Sequence, residues 1–220
     1  MLHSMWRTVS KLRWLLLTLG VLYLACMGAG VATYHAGPQS LLAWVQRQDE
    51  RQYEQLWSVV GRWVEPLREG RLGTILTCTG FVFSVNTLGD LLNFTIPGIF
   101  VVPIAATLLV FGGWMQGIGL ATIHGSSFLS VFLYLLMGSL EWATYVLASV
   151  AGVNIGLSVL SPRRQGVTSR RAAFGVALGD GSRLYLLIVM MLAVQALMEV
   201  LYIRKILLMG GSGRPPLMPW

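Results

Sequence analysis

From residue 128 to residue 160 the chain carries one charged side chain, Glu141. Apolar runs of about 20 residues are what a membrane-spanning helix needs, and four more occur, at residues 14–32, 74–92, 97–123 and 184–203. Of 220 residues, 55% are hydrophobic and 11% are charged. A soluble domain carries about 25% charged residues. Mean hydropathy is +0.67. The expected fold is all-α, a polytopic membrane helical bundle of about five transmembrane helices, and the length leaves no room for a sizeable soluble domain beside it.

The stretch at residues 126–160 admits two readings. As one helix it would be about 50 Å long, against a bilayer core of about 30 Å. A break at Gly138 and Ser139 would leave a re-entrant half helix over residues 127–137 and a full span over residues 140–160; the alternative is one long tilted helix. In the second span Asn86 interrupts the apolar run and Asp90 closes it. In the third, Thr95 is placed to cap the helix before Pro97, and Pro103 is placed to bend it by removing a backbone bond.

Four segments follow: residues 1–38, a cytoplasmic N-terminus and first span; 39–73, an amphipathic segment; 74–209, the transmembrane bundle; and 210–220, a Gly/Pro-rich tail expected to be disordered. The first apolar run is longer than the 7–15 residues of a signal-peptide core. Tyr23 also occupies the aliphatic position of a lipoprotein cleavage box ending at Cys26, so the run is read as an uncleaved span. Arg7, Lys11 and Arg13, and then Arg163, Arg164, Arg170, Arg171 and Arg183 against Asp180, put the N-terminus and the 161–183 loop on the cytoplasmic side of the inner (plasma) membrane. Arg204 and Lys205 argue the other way. The net charge of +7 suits anionic headgroups and not nucleic acid.

Between the first two spans, residues 39–71 hold five arginines and five acids. Leu56, Val60, Trp63 and Leu67 share one helical face. Trp44, Trp57 and Trp63 are rings suited to the headgroup level. The segment is read as lying on the membrane or packed across the bundle mouth, or as a docking surface for envelope protein partners. Small residues recur every four positions at Thr144, Ala148, Gly152 and Gly156, and again at Gly113 and Gly117. That spacing makes a face on which another helix packs closely, within the bundle or in a homodimer.

No catalytic set is visible: no Ser–His pair at one depth, no glycine-rich phosphate loop, no Cys/His cluster. Cys26 and Cys78 imply no disulfide framework, and His3, His35 and His124 lie apart from other metal ligands. The chain reads as non-enzymatic, without metal or cofactor. Its polar residues within spans are Asn86, Gln116, Glu141, Asn154, Gln195 and Glu199. Amides there serve as interhelical hydrogen-bonding groups, worth about 0.6 kcal/mol each. An ionised carboxylate in hydrocarbon costs about 3 kcal/mol on insertion scales, and such residues face a bundle interior or a wet cavity. Glu141 and Glu199 are therefore candidates for an ion or proton path.

In order and spacing these pieces resemble the stage II sporulation protein M family of multi-pass membrane proteins. The likeness runs over about residues 81–162. It comprises an aromatic-rich helix leading to Asn86, the Gln116-Gly117-Ile118-Gly119 helix end, and Glu141 just after Gly138. Gly152-Val153-Asn154-Ile155-Gly156 and Pro162 follow, with an echo at Glu199. The chain departs from the family pattern at Met137, where a histidine is usual, at Gln116, where an asparagine is usual, and at Asn154, where a basic residue is common. The resemblance implies a non-enzymatic scaffold of the cell envelope that positions partners such as cell-wall hydrolases. The intramembrane carboxylates imply the alternative, a pore or an ion or proton transporter.

Overall fold

The computed structural model describes residues 2–45, 47, 51, 61–100, 102–121 and 128–208, and among them there is no strand. Helix α1 (Leu2–Lys11) turns at Leu12 into α2 (Arg13–Ala36). Gly37 ends α2 in an extended conformation, donating its N–H to the Thr33 carbonyl, as suits a residue preceding proline. Residues 39–45 are helical. A short helix α3 (Val64–Arg68) closes at Gly70, whose φ of +73° lets Arg71 N–H reach back to the Pro66 carbonyl. That wrap supplies orphan carbonyls with donors, and glycine takes the left-handed conformation without strain. Helices α4 (Leu72–Asp90), α5 (Ile96–Phe100), α6 (Val102–Ala121), α7 (Phe128–Leu160) and α8 (Arg170–Leu208) complete the bundle. Among the described residues, five helices are long and apolar enough to cross a membrane.

Lipid tails are as apolar as leucine, so these helices associate through close packing and hydrogen bonds rather than through escape from water. Glycine makes the approach possible. A methyl group at Gly30 on α2 would fall on the Trp114 carbonyl of α6, and one at Gly117 on the Met27 carbonyl of α2. A methyl at Gly113 would lie 2.8 Å from the Tyr23 carbonyl. Trp114 Nε1 donates to Thr33 Oγ1 at 3.0 Å across the same seam. A second pair, α7 and α8, forms an antiparallel hairpin through a turn at Pro162–Gln165 and Gly166, φ +71°. Its core combines Leu147, Ala148, Val150, Ala151 and Val153 on α7 with Leu184, Ile188 and Leu192 on α8. The small-residue faces are thus filled within one chain.

Several expectations change. Of the two readings of residues 126–160, the described residues fit the single long helix: Gly138 and Ser139 lie inside α7, which runs unbroken for 33 residues, about 50 Å. A lone glycine weakens a helix by only about 1 kcal/mol, too little to break one packed along most of its length. The last helix begins at Arg170, so residues 170–183, expected to be loop, are its first turns. The second span does not stop near residue 92. It continues through a π-helical turn, Leu91–Thr95, into α5, where Ile96 N–H bonds to the Leu91 carbonyl five residues back. Pro97 has no N–H to give, and a widened turn just before it absorbs the missing bond. Pro103 is the second residue of α6, where proline bends nothing. Trp57, His124 and the tail at 210–220 lie outside the described residues.

Candidate functional site

Helix α4 leans on α8 and barely touches α6 or α7. The space it leaves is a cavity of about 720 Å³, within the 300–1,000 Å³ usual for small-molecule sites. One mouth is walled by Arg62, Trp63 and Leu67 beside α3, and Trp63 packs with Leu67, Cys78 and Val200 into a small apolar cluster. Trp63, expected at headgroup level, is therefore part of the cavity wall, whereas Trp44 is exposed.

Polar groups reach the cavity from four helices. Asn86, Asp90 and Asn93 follow one another at spacings of four and three, which places them on one face of the second span. Glu141 and Tyr145 are four apart on α7, and the Tyr145 hydroxyl donates to Glu141 Oε1. From α8, Gln195 Nε2 donates to Glu199 Oε2 at 2.8 Å, and Asn86 Nδ2 donates to Gln195 Oε1 at 3.1 Å. Gln116 comes from α6.

Asp90, Glu141 and Glu199 are the carboxylates that line the space, and all are buried. Glu141 is within electrostatic reach of both others. Among the described lining residues Arg62 is the one cation, and it is exposed at the mouth, its guanidinium 5.5 Å from the Trp63 ring centre. Asp90 is the extreme case: 1% exposed, with the Thr144 side chain beside its carboxylate but no well-formed hydrogen bond to either oxygen among the described residues. The neighbouring Thr144 hydroxyl donates instead to the Glu141 carbonyl. An ionised carboxylate buried without a partner is a costly arrangement.

Below the carboxylates the bundle closes. Thr95 Oγ1 donates to the Ala148 carbonyl at 2.9 Å and so receives its 2.6 Å hydrogen bond from the Tyr185 hydroxyl. Thr95 thus ties two helices together rather than capping one. A methyl group at Gly152 would fall on the Thr95 carbonyl, and one at Gly156 would lie 2.6 Å from the Gly98 carbonyl. Beyond this seal Lys11 Nζ meets Asp180 Oδ2 at 2.5 Å and Gln165 Oε1 at 2.7 Å. Gln165 in turn bonds Ser158 Oγ at 2.7 Å and Asn154 Oδ1 at 3.3 Å. The N-terminal basic segment and the turn after α7 therefore share one end of the bundle.

Of the six polar residues singled out from sequence, Asn86, Gln116, Glu141 and Glu199 line the cavity. Gln195 is joined to it by hydrogen bonds, and Asn154 belongs to the far cluster. Asp90, Asn93 and Tyr145 were not among them; the four- and three-residue spacing from Asn86 was the signal. Gly113, Gly117, Thr144, Ala148, Gly152 and Gly156 are all buried within the bundle. Among the described residues no group of three or more His, Cys, Asp or Glu forms a metal-binding set. Comparison with protein families, with curated proteins and with solved structures finds no match.

Proposed function

We propose that this chain is a membrane transport protein that takes a positively charged solute or a proton into the cavity and holds it at Asp90 and Glu141. The observation that carries this reading is Asp90, buried without a well-formed hydrogen bond to its carboxylate and lining a cavity where the described residues add two further carboxylates and no buried cation. Desolvated carboxylates attract a cation far more strongly than solvated ones, because the effective dielectric is low. The Asn86–Gln195–Glu199 chain offers polar stepping points between the mouth and the deep pair. The seal at Thr95 and Gly152 closes the cavity toward the end that carries Lys11 and Asp180.

The scaffold reading implied by the family resemblance rests on the 39–73 segment, of which residues 46, 48–50 and 52–60 lie outside the described residues, and on small-residue faces that this bundle fills itself.

Cation flux in proteoliposomes tests the proposal, with wild type compared with Asp90→Asn, Glu141→Gln and Glu199→Gln at matched incorporation. The expected result is flux in the wild type that drops about tenfold or more, about 1.4 kcal/mol of binding, in the Asp90 and Glu141 variants. A folded wild type that moves neither protons nor any cation tried would sink it.

A further inference from the structure

Resting on the reading of the cavity as a cation site, we infer that its ligand is an organic cation with a bulky apolar body, admitted from the bilayer between α4 and α6. Size is the first argument. A cavity of about 720 Å³ is many times the volume of a desolvated metal ion, and its carboxylates do not form a metal-ligand set among the described residues.

Wall chemistry is the second. Phe81 on α4, Phe94 on the π turn and Phe111 and Met115 on α6 face the same space as Asp90 and Glu141. Aromatic faces and carboxylates together suit a cation whose charge sits on an apolar frame, since the ring face attracts a desolvated positive charge. Anionic and phosphate-bearing ligands would meet three carboxylates and are disfavoured by the same groups.

The third argument is the route. Phe81, Val85 and Phe111 line the cavity and remain 37%, 50% and 47% exposed. They stand on two helices that scarcely touch each other. A gap between two spanning helices faces lipid, so the cleft between α4 and α6 would be a side opening into hydrocarbon. An amphiphilic cation partitions into a bilayer before it meets the protein and needs such an opening; a hydrated ion does not.

The test uses tetraphenylphosphonium as the probe, tetraphenylborate as the anion of the same shape, and the full chain purified in detergent, with binding read by equilibrium dialysis. Saturable binding of the phosphonium is expected, with none for the borate and about tenfold or greater weakening in Asp90→Asn and Glu141→Gln. Gly112→Phe is the second variant: a Cβ there would meet only the Phe94 ring, at 3.9 Å. An added ring can therefore fill the cavity without disturbing the helix, and it should weaken binding as much. Equal binding of borate and phosphonium, or phosphonium binding indifferent to all three substitutions, would overturn the inference. The parallel measurement is rubidium and proton flux in proteoliposomes. Flux that depends on Glu141 without phosphonium binding would overturn the ligand class and leave the transport reading standing. Phosphonium binding that depends on Asp90, with no flux of any cation, would uphold the ligand and remove transport.

Discussion

Asp180 and Asp90 are both buried aspartates, and the bundle treats them in opposite ways. Asp180, 4% exposed, has Lys11 at 2.5 Å on one oxygen and Arg183 at 3.1 Å on the other, and Lys11 is shared with Gln165. Asp90, 1% exposed, has no well-formed hydrogen bond to either oxygen among the described residues, and the nearest lining cation is exposed at the mouth. On α8 alone, Asp180 and Glu199 stand about 28 Å apart, close to the thickness of a bilayer core. One end of the bundle is neutralised, hydrogen-bonded and sealed; the other keeps uncompensated negative charge inside apolar walls. The first arrangement is what a structural carboxylate requires. The second leaves energy to be recovered by something that arrives.

The contrast can be broken at several points. The largest effect belongs to the seal. Gly152→Leu drives a side chain into the Thr95 carbonyl, and overpacking of this kind costs about 3 kcal/mol; thermal unfolding in detergent should show a steep loss of folded protein. Retention of wild-type stability would mean that α5 and α7 do not seal the bundle as described. Next comes Asp90→Asn, which should abolish cation uptake while leaving the unfolding temperature equal to or above that of wild type, since an unpartnered charge is removed. Asp180→Asn should do the reverse. It loses two charged hydrogen bonds from partners that are themselves half exposed, about 1–2 kcal/mol, and keeps its uptake. If Asp90→Asn proves the more destabilising of the two, the distinction between a structural and a receptive carboxylate is wrong. The smallest effect is Gly80→Ala on α4, where an added methyl meets nothing within 4 Å. A change of about 0.5–1 kcal/mol toward greater stability, from helix propensity alone, would confirm how loosely that helix is held.

Much of this was legible beforehand. Five apolar runs became five helices able to span, because hydrocarbon forces backbone groups to bond within a segment and a helix does so locally. The small residues at 113, 117, 152 and 156 sit in helix crossings, since spacing alone dictates a common face. Boundaries fared worse. Hydropathy drops at Asp90, so the residue reads as the edge of a span when it lies inside one. The π turn is invisible to composition, since Leu91, Leu92 and Phe94 suit any helix, and only the missing N–H of Pro97 hints at it. Assigning Asn154 to the same set as Glu141 failed for a different reason. Thirteen residues, about 20 Å of helix, separate them, which puts one in the cavity and the other beyond the seal.

The wide turn at Leu91–Thr95 has an azimuthal consequence. Relative to an unbroken α-helix, one extra residue is threaded into the coil there, and each residue swings the chain by about 100° around the axis. Gly98 is anchored by its seat against Gly152 and Val153, so the swing is inherited by everything on the N-terminal side. Cys78, Phe81, Asn86 and Asp90 look inward because of that offset. In a span of the same sequence wound evenly from Leu72 to Phe100, the aspartate would be rotated out of the cavity by about a quarter of a turn, toward the lipid side.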